Sequence, residues 1–105
     1  MEKKLLLASI KKAIAERIGS DRLKGVFLFG SEARSTATEN SDIDILVLLK
    51  GPVLLGPDLR EVISATYSIQ LEIDQIIHFA VGDIRDYESG EFSLYRTIKN
   101  EGIAA

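Results

Sequence analysis

The sequence predicts an α/β domain: one small mixed β-sheet with helices packed against it. Apolar residues repeat at helical spacing in some segments and run as short β-type blocks in others. An apolar content of 46% beside 28% charged residues belongs to a folded chain. A length of 105 residues has room for one core, so residues 1–105 are read as a single domain. The expected order is helix, strand, turn, strand, helix, strand, helix.

Each element has its own signal. Over residues 5–18, Leu6, Ile10, Ala13, Ile14 and Ile18 fall on one helical face, lysines and Glu16 take the other, and Gly19 closes the pattern. The run GVFLF, residues 25–29, reads as a strand ending at Gly30. Ser31 to Ser41 is small and polar, suiting a short helical turn and a loop. DIDILVLL, residues 42–49, is the strongest strand signal. GPVLLGP, with a Gly-Pro at each end, reads as a connector. Asp58 is expected to cap a helix reaching about Ser68, with Leu59, Val62, Ile63 and Thr66 on one face. LEIDQIIHF, residues 71–79, reads as a third strand, and Phe92, Tyr95 and Ile98 outline a final helix that Gly102 stops.

Composition excludes several classes. With no cysteine, thiolate nucleophiles, disulfides and zinc–thiolate sites are ruled out, and a cytoplasmic setting is expected. The charged start is too short in apolar residues for an export signal, and no segment is long enough to cross a bilayer, so no membrane role is expected. Net charge is −3, split as +4 over the first 25 residues and −7 over the rest. That acidic remainder argues against general phosphate-backbone binding, so nucleic acid is not an expected partner.

Asp42 and Asp44 carry the chemistry. In a strand they point the same way, their Cβ atoms about 7 Å apart, while Ile43, Ile45 and Val47 point into the core. Two carboxylates on one face repel unless a cation lies between them or one is protonated. Oxygen ligation of this kind suits Mg²⁺, with Mn²⁺ as an alternative. Asp74, set among isoleucines, is expected to complete a three-carboxylate cluster if its strand pairs beside the first; Glu72 and His78 share its face. Gly30 lets backbone approach a ligand, Ser31 offers a hydroxyl and free N–H groups, and Arg34 follows one turn on to meet phosphate oxygens. Such a cradle beside a metal cluster suits a nucleoside triphosphate.

Gly30-Ser31, ten residues, then Asp42-Ile43-Asp44 resembles the G-S-x10-D-x-D signature of the minimal nucleotidyltransferases, the short members of the DNA polymerase β superfamily. The resemblance covers essentially the whole chain. It implies the polymerase β-like nucleotidyltransferase fold and transfer of AMP from ATP to a hydroxyl. It implies two divalent ions on Asp42 and Asp44, with Asp74 holding the one nearer the acceptor. It further implies Gly30 and Ser31 on the triphosphate, and a partner such as a HEPN-type toxin that the chain silences as an antitoxin. The alternative is a non-catalytic antitoxin or nucleotide-binding module of the same fold. An antibiotic-modifying enzyme would need further helices to hold its substrate. Taken alone, His78, the sole histidine, reads as a surface or half-buried residue.

Overall fold

A computed structural model of the chain describes residues 2–31, 33 and 41–105. Helix α1 spans Lys3–Ile18 and buries Leu6, Leu7, Ile10 and Ile14. It opens where the Glu2 carboxylate accepts the Lys4 N–H at 3.1 Å. Gly19 closes it at φ 109°, a conformation that costs glycine little. Strands β1 (Leu23–Phe29) and β2 (Ile43–Leu49) pair antiparallel, with Phe29 opposite Asp44 and Val26 opposite Val47.

Helix α2 (Leu55–Leu71) starts earlier and ends later than expected. Leu55, Gly56 and Pro57 form its first turn rather than a connector, because the N–H groups there have no helical acceptor and proline gives up nothing. Asp58 lies inside the helix, not at its cap. Its Oδ2 reaches back to the Leu54 N–H at 2.8 Å, and its two oxygens accept Arg22 Nη1 at 2.7 Å and Nη2 at 2.9 Å. The Arg22 hydrogen bonds hold the Asp58 carboxyl below its ordinary range, against the opposing effect of burial. Arg22 also donates to the Lys50 and Pro52 carbonyls, at 3.2 and 2.9 Å, so this pair ties the start of β1 to the β2–α2 connection.

Strand β3 is Ile77–Asp83, six residues later than the sequence suggested. The cause is Gln70: its Nε2 donates to the Gln75 carbonyl and its Oε1 accepts the Ile77 N–H, both at 2.8 Å. These bonds hold residues 72–76 as a turn, so strand pairing begins only at Ile77. β3 runs parallel to β2, as a helix-connected strand pair does, with Asp44 opposite His78 and Val47 opposite Val81. Two further elements lay outside the expectation, the short helix α3 (Ile84–Ser89) and the two-residue strand β4 (Ile103–Ala104). Between them, α4 (Ser93–Glu101) matches the expected final helix and buries Ile98.

The sheet order is β3-β2-β1-β4. One face carries Val26, Leu28, Ile43, Ile45, Val47 and Leu49 against α1 and α2. The other sets Leu46 and Leu48 against Ile98, with Phe27, Phe29, Tyr87 and Tyr95 around them. β2 is thus sealed on both faces, and each aliphatic side chain buried there contributes about 1.5–3 kcal/mol. Among the described residues, no helix is long and apolar enough to cross a membrane.

Candidate functional site

Alternation along β2 decides where its carboxylates go. Leu46 and Leu48 lie on the face covered by α4, so Asp44, two residues earlier, lies on that same face. Asp42, just ahead of the strand, is exposed and Asp44 half-buried. Ile43 between them and Ile45 after them stay in the core of the other face. The strand therefore delivers two acids to the rim of the sheet at no cost to the core.

Gly30 follows immediately on the Phe29–Asp44 pair. Its φ is 73°, and a Cβ built there would sit 2.5 Å from Asp44 Oδ2. Two separate constraints thus require glycine: left-handed backbone, and a carboxylate lying against its Cα. Ser31 continues the turn as a half-buried residue. Arg34 lies outside the described residues, as does most of the expected helical turn from Ser31 to Ser41.

Asp74 is the expectation that the structure corrects. It is exposed, in the bend between α2 and β3, three residues ahead of the strand that was to carry it. Among the described residues, no three of His, Asp and Glu form a group that could hold a metal ion. The position facing Asp44 on the parallel neighbour belongs instead to His78. Its Nε2 lies 2.8 Å from Asp42 Oδ2, with the two side chains 57% and 48% exposed. Period-two alternation had put His78 on the right face, but only the β2–β3 register singles it out, and a register is not written in a sequence.

Further along the same face, aromatic rings line the sheet. Phe27 and Tyr87 stack at 5.4 Å, Tyr95 tilts onto Tyr87 at 5.9 Å, and Lys99 Nζ sits 4.8 Å above the Tyr87 ring. Burial pushes both phenols above their ordinary pKa, and the charges of Asp86 and Asp83 add to the effect at Tyr95. These hydroxyls stay protonated at neutral pH.

The family described as "Nucleotidyltransferase domain" matches residues 7–104. A Methanocaldococcus jannaschii protein named as a candidate protein adenylyltransferase is 38% identical over 69 residues, which are 65% of this chain and 69% of that protein. A crystallised toxin–antitoxin with AMP-PNP superposes with a TM-score of 0.64 at 24% identity, over 92% of this chain and 69% of that one. A mutant of the MntA-HpeT toxin-antitoxin gives 0.62 at 21%, again over 92% and 69%. A crystallised candidate nucleotidyltransferase from Sulfolobus solfataricus gives 0.54 at 23%, over 97% and 80%. At these identities the three structures speak for the fold alone.

Proposed function

Because the chain belongs to the nucleotidyltransferase domain family, we propose that it transfers AMP from ATP to a hydroxyl of a partner protein, with Asp42 and Asp44 as the carriers of two divalent cations. The observation that carries this reading is Gly30 pressed against the Asp44 carboxylate at the mouth of the β1 turn. That contact puts a backbone able to approach a phosphate beside the acid able to hold its counter-ion. The donor set fits Mg²⁺ or Mn²⁺, since both aspartates offer hard oxygens from an accessible rim. When bound, such ions neutralise charge on the departing pyrophosphate and sharpen the attacking hydroxyl.

The residues themselves have positional work. The turn at Gly30 and Ser31 holds the triphosphate through backbone N–H groups and a hydroxyl, with Arg34 adding charge. The acceptor oxygen forms a bond to the α-phosphorus as the bond to the β,γ-diphosphate breaks. Pyrophosphate leaves, and the hydroxyl proton passes to solvent or a carboxylate. β2, packed on both faces, keeps Asp44 in place during the exchange.

A protein acceptor is supported by α2. Its Leu55, Ile63, Tyr67 and Leu71 are exposed, and with the half-buried Leu59 they make an unbroken i, i+4 row of apolar side chains. Such a ridge fits the groove of another helix. We assign it to a helical toxin of the HEPN type, in keeping with the toxin–antitoxin complexes that share the fold.

The test is incubation of the chain with α-labelled ATP, Mg²⁺ or Mn²⁺ and a helical protein of the HEPN type. Label enters the partner, and Asp42→Asn or Asp44→Asn lowers the rate about 100-fold or more. Labelling unchanged in both variants would overturn the reading. Tyr67→Asp, which leaves ATP binding alone, weakens capture of the partner at least about tenfold.

A further inference from the structure

We infer that Gln75 is a positioning residue for the transfer: its side-chain amide fixes the backbone ahead of Asp42 and so sets where that carboxylate stands. This rests on the reading that Asp42 takes part in nucleotide transfer, and extends it to what holds the acid in place. Asp42 needs such a hold. It precedes β2, outside the strand ladder, and its side chain is 48% exposed, so packing does little to confine it.

The residues on either side of Asp42 are both held from the β3 side. The Ile43 N–H donates to the Ile76 carbonyl at 2.9 Å, and the Ser41 carbonyl accepts Gln75 Nε2 at 2.8 Å. Asp42 is therefore suspended between two bonded neighbours. The first bond is a backbone contact that any residue at 76 supplies. The second depends on the side chain at 75.

The two ends of that side chain require an amide. Gln75 Oε1 accepts Lys3 Nζ at 3.1 Å, while Nε2 donates to Ser41. An ammonium only donates and a carbonyl only accepts, so a carboxylate fails at one end and a lysine at the other. Gln70 aims the residue, since its Nε2 donates to the Gln75 carbonyl at 2.8 Å. The turn that leaves Asp74 in solvent thus sends the half-buried Gln75 toward the strand of acids. The amide joins the start of α1 to the entrance of β2.

The experiment compares three variants of the full chain. Gln75→Met, similar in length and uncharged, loses both ends. Gln75→Glu keeps an acceptor for Lys3 but loses the donor to Ser41, and Lys3→Ala removes the α1 contact alone. With neither nucleotide nor metal present, the ring signals of His78 in nuclear magnetic resonance report the place of Asp42, because His78 Nε2 lies 2.8 Å from Asp42 Oδ2. They shift in both Gln75 variants and stay in Lys3→Ala. In AMP transfer, both Gln75 variants lower kcat at least about tenfold and keep KM for ATP within about twofold, the mark of a misplaced reacting group. His78 signals or kcat unmoved in Gln75→Met overturn the inference, as does an equal effect of Lys3→Ala. A wild type that transfers no AMP overturns the functional reading instead, and the His78 signals still decide whether Gln75 places Asp42.

Discussion

Gly30→Ala separates the two reasons for glycine at the head of the site, because the fold supplies its own control. Gly30 and Gly90 have nearly the same left-handed backbone, φ 73° and 74°, but the space around Gly90 is open, with no atom within 4 Å of a built Cβ. Alanine in this conformation costs about 1–2 kcal/mol at either position. Urea unfolding of Gly30→Ala and Gly90→Ala therefore gives similar losses of stability. Function parts them. At Gly30 the new methyl meets Asp44 Oδ2 at 2.5 Å, and regaining an ordinary contact of about 3.5 Å moves the carboxylate by about 1 Å. That tip can swing aside cheaply, so folding survives, but a displacement of this size costs on the order of 100-fold in a positioned reaction. Nucleotide transfer and Mn²⁺ affinity, measured on both variants, should collapse in Gly30→Ala and hold in Gly90→Ala. Equal behaviour of the two would refute the argument, leaving Gly30 as a turn residue only.

Two predictions concern the frame around the site. Asp58 titrates lower in the folded chain than its unfolded value of about 3.9. The stability it contributes is therefore complete above that value and is lost as pH falls through the folded one. Urea midpoints followed into acid should decline more steeply in the wild type than in Asp58→Asn, and Arg22→Ala should flatten the same limb. At neutral pH, Arg22→Ala costs about 2 kcal/mol, less than a fully buried pair would, because the Arg22 side chain keeps 33% exposure. Gln70→Ala removes the two bonds that start β3, at a cost of about 1–2 kcal/mol, and hydrogen exchange at the Ile77 amide quickens selectively; unchanged exchange there would show that the register has another anchor.

Local chemistry made some parts of this fold readable in advance. DIDILVLL announces a strand with acids on one face because its apolar residues leave them no other place, and β2 lies where that pattern puts it. The turn at Gly30 is legible from a different segment, the apolar run GVFLF that it ends. The third strand misled because Ile69-Gln70-Leu71-Glu72-Ile73-Asp74 alternates like a strand. In the fold Ile69 and Ile73 reach the core from the end of α2 and its turn, while Leu71 is left in solvent. Core packing at helical spacing from Val62 through Thr66 to Ile69 outweighed the local alternation. The partner of His78 is not legible for a related reason. Its neighbour Asp42 lies 36 residues away in sequence, and only the pairing of two distant strands brings them together.

The double seal on β2 bears on how heat would silence the protein. Strand β2, which carries Asp44 with Asp42 just ahead of it, is hydrogen-bonded along both edges and covered on both sides, so it belongs to the last part of the chain to open. Warming would not erode the chemistry ahead of the scaffold. Competence and compactness would vanish at one temperature, and cooling a chain that refolds would restore the two together.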